Sequence, residues 1–135
     1  MAKAFVDTAS WLALINMDDK FHEKAKAVRT ELLQAKTDFV TTDQVLIEVA
    51  NGLSSPRFRA AAVQLLEAIE RSENIRVVRT DQRIYKQAWE MYKRSTDKEW
   101  GLTDCISFVV MAEEGIQQAF TTDHHFEQAG FIKLL

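Results

Sequence analysis

Apolar and polar positions along this 135-residue chain follow two rhythms. Short uncharged runs such as Ala4-Phe5-Val6, Phe39-Val40 and Ala119-Phe120 stop abruptly, while longer stretches repeat apolar residues every three or four positions. Runs of the first kind read as strands buried on both faces, and those of the second as amphipathic helices. Strands are therefore expected at Lys3–Asp7, Phe39–Thr41, Ile75–Val78 and Gln118–Thr122, with a short last one at Phe131–Leu134. A short helix is expected around Ser10–Asn16, and a longer one at His22–Gln34 carries Ala25, Val28, Leu32 and Leu33 on one side. Val45, Leu46, Val49, Ala50 and Leu53 form another stripe, in a helix starting at Gln44 with Asp43 as its cap. Pro56 behind Ser55 suits the first turn of the helix that bears Phe58, Ala61, Ala62, Leu65, Leu66 and Ile69. Ile84, Ala88, Met91 and Tyr92 mark a further helix, and Thr103–Glu114, with Thr103 as N-cap, is the most apolar. Strands alternating with helices predict an α/β fold, a parallel sheet covered on both faces.

Composition narrows this picture. An apolar content of 47% fits a single domain over residues 1–135 with a real core. One proline and four glycines speak against disorder and against many-turned all-β folds. No uncharged run approaches the roughly 18 residues of a membrane span. The start of the chain, with Lys3 and Asp7, lacks a secretory apolar region. Cys105 is the only cysteine, which excludes an intrachain disulfide and makes a cytoplasmic location the expectation.

The net charge of −3 does not advertise a polyanion partner, but its distribution is uneven. Residues 71–98 hold eight basic and four acidic residues, whereas residues 99–135 hold one basic and six acidic. A basic band beside an acidic cluster suits an enzyme that grips a polyanion and cuts it with a bound cation. Solvated helix faces explain the band equally well.

The strand-like runs break into acids, namely Asp7, Asp43 and Asp123, and Asp104 opens the nearly uncharged stretch from Cys105 to Ala112. Ligands of open α/β sheets gather beyond the carboxyl ends of the strands, where clustered carboxylates repel one another unless a cation joins them. Each acid also has a plainer reading. Asp7 and Asp123 could cap helices, and Asp104 could answer a helix dipole. Asp43 is assigned to capping alone. Glu48 lies on the flank of its helix stripe, with Asn51 three residues on, and Thr8, Ser10 and Ser107 are hydroxyls able to orient the acids. The adjacent His124 and His125 read as a solvent-exposed pair, since neighbours on a helix face different ways and no further ligand completes a zinc set. His22 falls on a polar helix face, and Cys105 reads as core. No phosphate-binding glycine loop, dinucleotide fingerprint or nucleophile elbow is present.

Four segments taken in order resemble the PIN domains, most of all the VapC-type ribonuclease toxins and their stand-alone relatives. They are Phe5-Val6-Asp7-Thr8-Ala9-Ser10, Glu48-Val49-Ala50-Asn51, Trp100 to Phe108, and Phe120 to Phe126 with Ala129-Gly130-Phe131. The resemblance covers essentially the whole chain, and its two C-terminal segments are the specific part. It implies a three-layer α/β/α sandwich around a parallel sheet of four to five strands. It also implies a metal-dependent endoribonuclease using Mg2+ or Mn2+, with a metal-activated water leaving 5′-phosphate and 3′-hydroxyl ends. Asp7, Glu48, Asp104 and Asp123 would form the acidic quartet holding the metal, and Thr8 or Ser10 and Thr121 the supporting hydroxyls. Gly101 stands where relatives often carry serine, and the nearby Asp97 and Glu99 are not assigned to the metal. RNA, a cognate antitoxin and a second copy of the chain are the implied partners. Arg76, Arg79, Arg83, Lys86, Lys93 and Arg94 are candidate contacts to the RNA backbone, on the charge count alone.

Two other readings are weighed. An acid-rich α/β phosphatase needs a second aspartate two residues beyond the first, where this chain has Ala9. A non-catalytic PIN-like module that binds RNA or protein would be expected to lack one of the four acids, and all four are present.

Overall fold

The computed structural model describes residues 2–135. Its strands are β1 (Lys3–Val6), β2 (Asp38–Thr42), β3 (Ile75–Val78), β4 (Gln118–Phe120) and β5 (Ile132–Lys133). The helices are α1 (Thr8–Ile15), α2 (His22–Gln34), α3 (Asp43–Gly52), α4 (Pro56–Arg71), α5 (Gln82–Arg94), α6 (Leu102–Glu114) and α7 (His125–Gln128). All five strands are parallel, in the order β3-β2-β1-β4-β5. Right-handed crossovers in such an order put α1 to α4 on one face of the sheet and α5 to α7 on the other. Helix contacts agree, since α1 packs on α2, α3 and α4, and α6 packs on α5 and α7.

The core is what the apolar runs foretell. Ala4, Phe5, Val6, Phe39, Val40, Ala119 and Phe120 are buried, and so is every residue of α6 from Cys105 to Met111. Phe108 and Phe126 meet edge to face at 5.0 Å, and Phe126 also lies 6.2 Å from Phe5, tying α7 to α6 and the central strand. Gly115, at φ 69°, ends α6 in the left-handed conformation that glycine adopts without steric penalty.

Strand order reverses between β1 and β4. The chain leaves β1 toward β2 and β3, then crosses back to β4 and β5, so the helices diverge there and open a crevice at the carboxyl ends. Val6 pairs with Phe120 across this seam, which places Asp7 and Thr121 side by side one residue beyond it.

Several boundaries differ from the sequence expectation. α3 is capped by Thr42, whose hydroxyl accepts from Val45 N–H at 3.1 Å, rather than by Asp43. Asp43 is the first helical residue and binds the N–H and hydroxyl of Thr80, the latter at 2.6 Å, clamping the loop after β3. α6 starts one residue earlier than expected, with Gly101 rather than Thr103 as N-cap. Its third residue, Asp104, reaches back to accept from Gly101 N–H at 3.1 Å. β4 stops at Phe120, so Thr121, Thr122 and Asp123 belong to the turn into α7.

Candidate active site

Asp7 follows β1 directly and is only 5% exposed. Its Oδ2 accepts from the Thr121 hydroxyl at 3.0 Å, and the Thr121 oxygen in turn accepts from Asp123 N–H at 3.0 Å. One threonine at the seam therefore fixes both strand-end aspartates. Burial, with lesser contributions from Asp104 and Asp123, raises the Asp7 carboxyl to about 7. Asp104 comes from the other direction, in the first turn of α6. Its carboxyl is also raised, chiefly by burial and then by Asp123, against the Gly101 hydrogen bond and His125, which favour its charge.

Glu48 projects from α3 and is exposed, and its Oε1 accepts from the Thr8 hydroxyl at 2.7 Å. Thr8 is the residue after Asp7, so the contact brings the glutamate to the rim of the same crevice. Asn51 is exposed one turn further along α3. Ser10 is turned away, its buried hydroxyl donating to the Phe120 carbonyl at 2.7 Å, a brace between α1 and β4. Ser107 donates to the Thr103 carbonyl within α6 at 3.1 Å.

The histidine pair corrects the sequence reading for one of its members. His124 is exposed, at 67% of its side chain, but His125 is only 17% exposed and turns inward. Its Nδ1 lies 3.1 Å from Asp104 Oδ2 and 3.3 Å from Asp123 Oδ1, and its backbone N–H donates to Asp123 Oδ1 at 2.9 Å. The signal in the sequence was Phe126. A large apolar residue directly after the pair pins the start of α7 to the core and turns its neighbour toward α6.

The basic band is split by the fold. Arg76 pairs with Glu114 and Arg83 with Glu113, both at the carboxyl end of α6, remote from Asp104 at its start. Arg79 pairs with Glu70. Lys93 pairs with Glu90, whereas Lys86 and Arg94 have no acidic partner among the described residues. α5 runs antiparallel to α6, so Lys93 and Arg94 end at the same side as Asp104. Arg94 is close enough to be felt by Cys105, whose buried thiol is nonetheless pushed up to about 11.

Among the described residues, no lysine or arginine forms an ion pair with Asp7, Glu48, Asp104 or Asp123. His125 and His124 are the only basic side chains that do so with any of them. A buried carboxylate without a counter-charge is costly, and Asp7 also feels the charges of Asp104 and Asp123. Oxygen donors with no lysine or arginine among them fit a divalent cation.

Fold and site together define a class. The PIN domain family model matches residues 4–132, and the chain belongs to that family. Its relatives include the 23S rRNA-specific endonuclease VapC20 of Mycobacterium tuberculosis, in strains CDC 1551 / Oshkosh and ATCC 25618 / H37Rv. Each is 34% identical over 130 residues, covering 96% of both chains. The crystal structure of Mycobacterium tuberculosis VapC20, described as a Sarcin-Ricin loop cleaving toxin, superposes with a TM-score of 0.84. It shows 35% identity and 96% coverage of each chain. VapBC2 from Rickettsia felis, with a TM-score of 0.69 at 14% identity over 97% of this chain and 96% of that one, shares the fold. FitAcB from Neisseria gonorrhoeae does too, at 0.68 and 18% over 96% and 95%. The five-stranded parallel sheet between two helical layers is the α/β/α sandwich expected from the sequence.

Proposed function

We propose that this protein is a metal-dependent endoribonuclease and the toxin of a toxin–antitoxin pair. The observation that carries the reading is that Asp7, Asp104 and Asp123 lie near enough at the sheet's switch point to feel one another's charge, with no lysine or arginine to neutralise them. Similarity over nearly the whole chain to a ribosomal-RNA endonuclease toxin supports both the activity and the toxin role. Ribosomal RNA is accordingly the first substrate to try. An antitoxin, as the natural counterpart of a toxin, is the expected protein partner. Homodimerisation remains part of the proposal on the strength of the sequence resemblance.

Asp7, Asp104 and Asp123 would hold Mg2+ or Mn2+. When bound, such an ion neutralises phosphate oxygens and acidifies a water for in-line attack on the phosphodiester. The protein's own part is positioning. Thr121 fixes two of the carboxylates by hydrogen bonds, the Gly101 N–H orients the third, and Thr8 holds Glu48 where it can orient the attacking water. No side chain here serves as a nucleophile, since Ser10 is locked to a backbone carbonyl and the Cys105 thiol is buried and kept protonated. Lys86 and Arg94 are the better candidates for RNA backbone contacts, because Arg76, Arg79, Arg83 and Lys93 are engaged by glutamates. Among the described residues, no helix is long and apolar enough to cross a membrane.

The test is cleavage of ribosomal RNA by purified protein with Mg2+ or Mn2+, beside an Asp104→Asn variant. Metal-dependent cutting by the parent and at least about a hundredfold loss in the variant are expected. Equal cutting by the two would show that the acids are not the site.

A further inference from the structure

We propose that His125 supplies a nitrogen ligand to the metal held by Asp104 and Asp123, so that the site favours a first-row transition ion such as Mn2+ over Mg2+. This rests on the reading of the acids as a metal site and deepens it.

The placement of the ring argues for this role. Nδ1 of His125 lies between the two carboxylates, 3.1 Å from one oxygen of Asp104 and 3.3 Å from one of Asp123. Ligand atoms of Asp123, His124 and His125 lie within 4.8 Å of one another, so a cation on Asp123 is within reach of this nitrogen. The ring is also held in place. Its backbone N–H is bonded to Asp123 Oδ1 at 2.9 Å, and the adjacent Phe126 is completely buried against Phe108 and Phe5. A histidine placed only to decorate the surface needs neither restraint, and His124 beside it has neither. His124 is mostly exposed, with Nδ1 3.8 Å from Asp123 Oδ1, and it shares a ligand cluster with Asp123 and His125, so His124→Gln tests which ring binds.

Donor chemistry then sets the preference. Mg2+ takes oxygen ligands in strict octahedral geometry and keeps its waters, gaining little from an imidazole. Transition ions bind neutral imidazole well, and affinity rises along the first row for a mixed nitrogen and oxygen set. Binding through Nδ1 places the ring proton on Nε2, and the imidazole should add to whatever Mn2+ preference the carboxylates have alone.

The rival role is a hydrogen-bond donor that merely keeps the two carboxylates in place. Pulsed electron paramagnetic resonance of the Mn2+-loaded full chain separates the two, because a directly bound nitrogen couples to the manganese spin. The coupling is expected in the parent and in His124→Gln, and is expected to vanish in His125→Gln. Calorimetry on the same proteins should show Mn2+ affinity falling about tenfold or more in His125→Gln while Mg2+ affinity changes by less than about threefold. Bound Mn2+ without nitrogen coupling in the parent would overturn the proposal, whether or not the variant folds, and would leave the acidic site standing. Coupling that survives in a folded His125→Gln variant would overturn it too. Failure of the parent to bind Mn2+ at all would remove both this inference and the metal-site reading beneath it.

Discussion

The two ends of α6 carry acids in opposite circumstances. At its carboxyl end Glu113 and Glu114 lie where the helix dipole disfavours negative charge, and each is answered by arginine, Glu113 by Arg83 and Glu114 by Arg76 with Lys3. The Glu114 carboxyl is accordingly held below its ordinary range, mainly by the Arg76 hydrogen bond. At the amino end Asp104 lies where the dipole favours it, yet its carboxyl is raised, because burial and Asp123 outweigh the favourable contacts. The nearby arginines Arg76 and Arg83 both pair with the carboxyl end. Acids left without lysine or arginine partners are the pattern expected of a functional end, which is the role proposed for this one.

Asp7→Asn should sharpen this contrast most. Removing a proposed metal ligand is expected to lower RNA cleavage by at least about a hundredfold, read in a steady-state assay. The same change should raise the melting temperature of the metal-free protein near pH 7, since it removes a charge the site cannot solvate. A variant that is both inactive and less stable would mean Asp7 is structural.

The pH dependence of the metal-free protein follows from the same residue. Asp7 titrates at about 7 in the fold against an ordinary value of 3.8, so between these values the folded state holds the proton more tightly than the unfolded chain. Its contribution to stability is greatest below about pH 4 and declines as pH rises toward 7, by on the order of a few kcal/mol. Thermal denaturation in chelator across this window should show the decline in the parent and much less of it in Asp7→Asn. Added Mn2+ should reverse it.

Thr121→Val tests the brace between the aspartates. It removes the donor to Asp7 Oδ2 and the acceptor for Asp123 N–H while nearly conserving volume. A loss of about 1–3 kcal/mol of stability is expected from the unsatisfied groups. Cleavage should fall by about tenfold or more as the ligands loosen. At the other end of α6, Glu114→Gln should cost less than about 1 kcal/mol in denaturant unfolding and leave cleavage unchanged. A large loss of activity there would erase the distinction between the two ends.

Much of this was legible in the sequence because it depends on local period. The apolar runs located β1 to β4, the helical stripes located α2 to α6, and the acids that ended those runs pointed to the seam. What stayed hidden depends on contacts between distant residues. His125 meets Asp104 across 21 positions, and the rule that adjacent histidines diverge explains His124 but is blind to the anchor at Phe126. The charge count merged Arg83 with Arg94 into one band, although the antiparallel pairing of α5 and α6 sends them to opposite ends. Asp43 read as a cap because a carboxylate at a helix start usually is one. Thr42 took that position, and Thr80, thirty-seven residues away, took the aspartate.

The acids at the β1–β4 seam are proposed to hold a divalent cation. Calorimetric titration of Mn2+ into metal-free parent and Asp104→Asn protein tests it most directly. Saturable binding in the micromolar to millimolar range by the parent, lost or severely weakened in the variant, is the expected result. No binding by the parent, or equal binding by both, would contradict it.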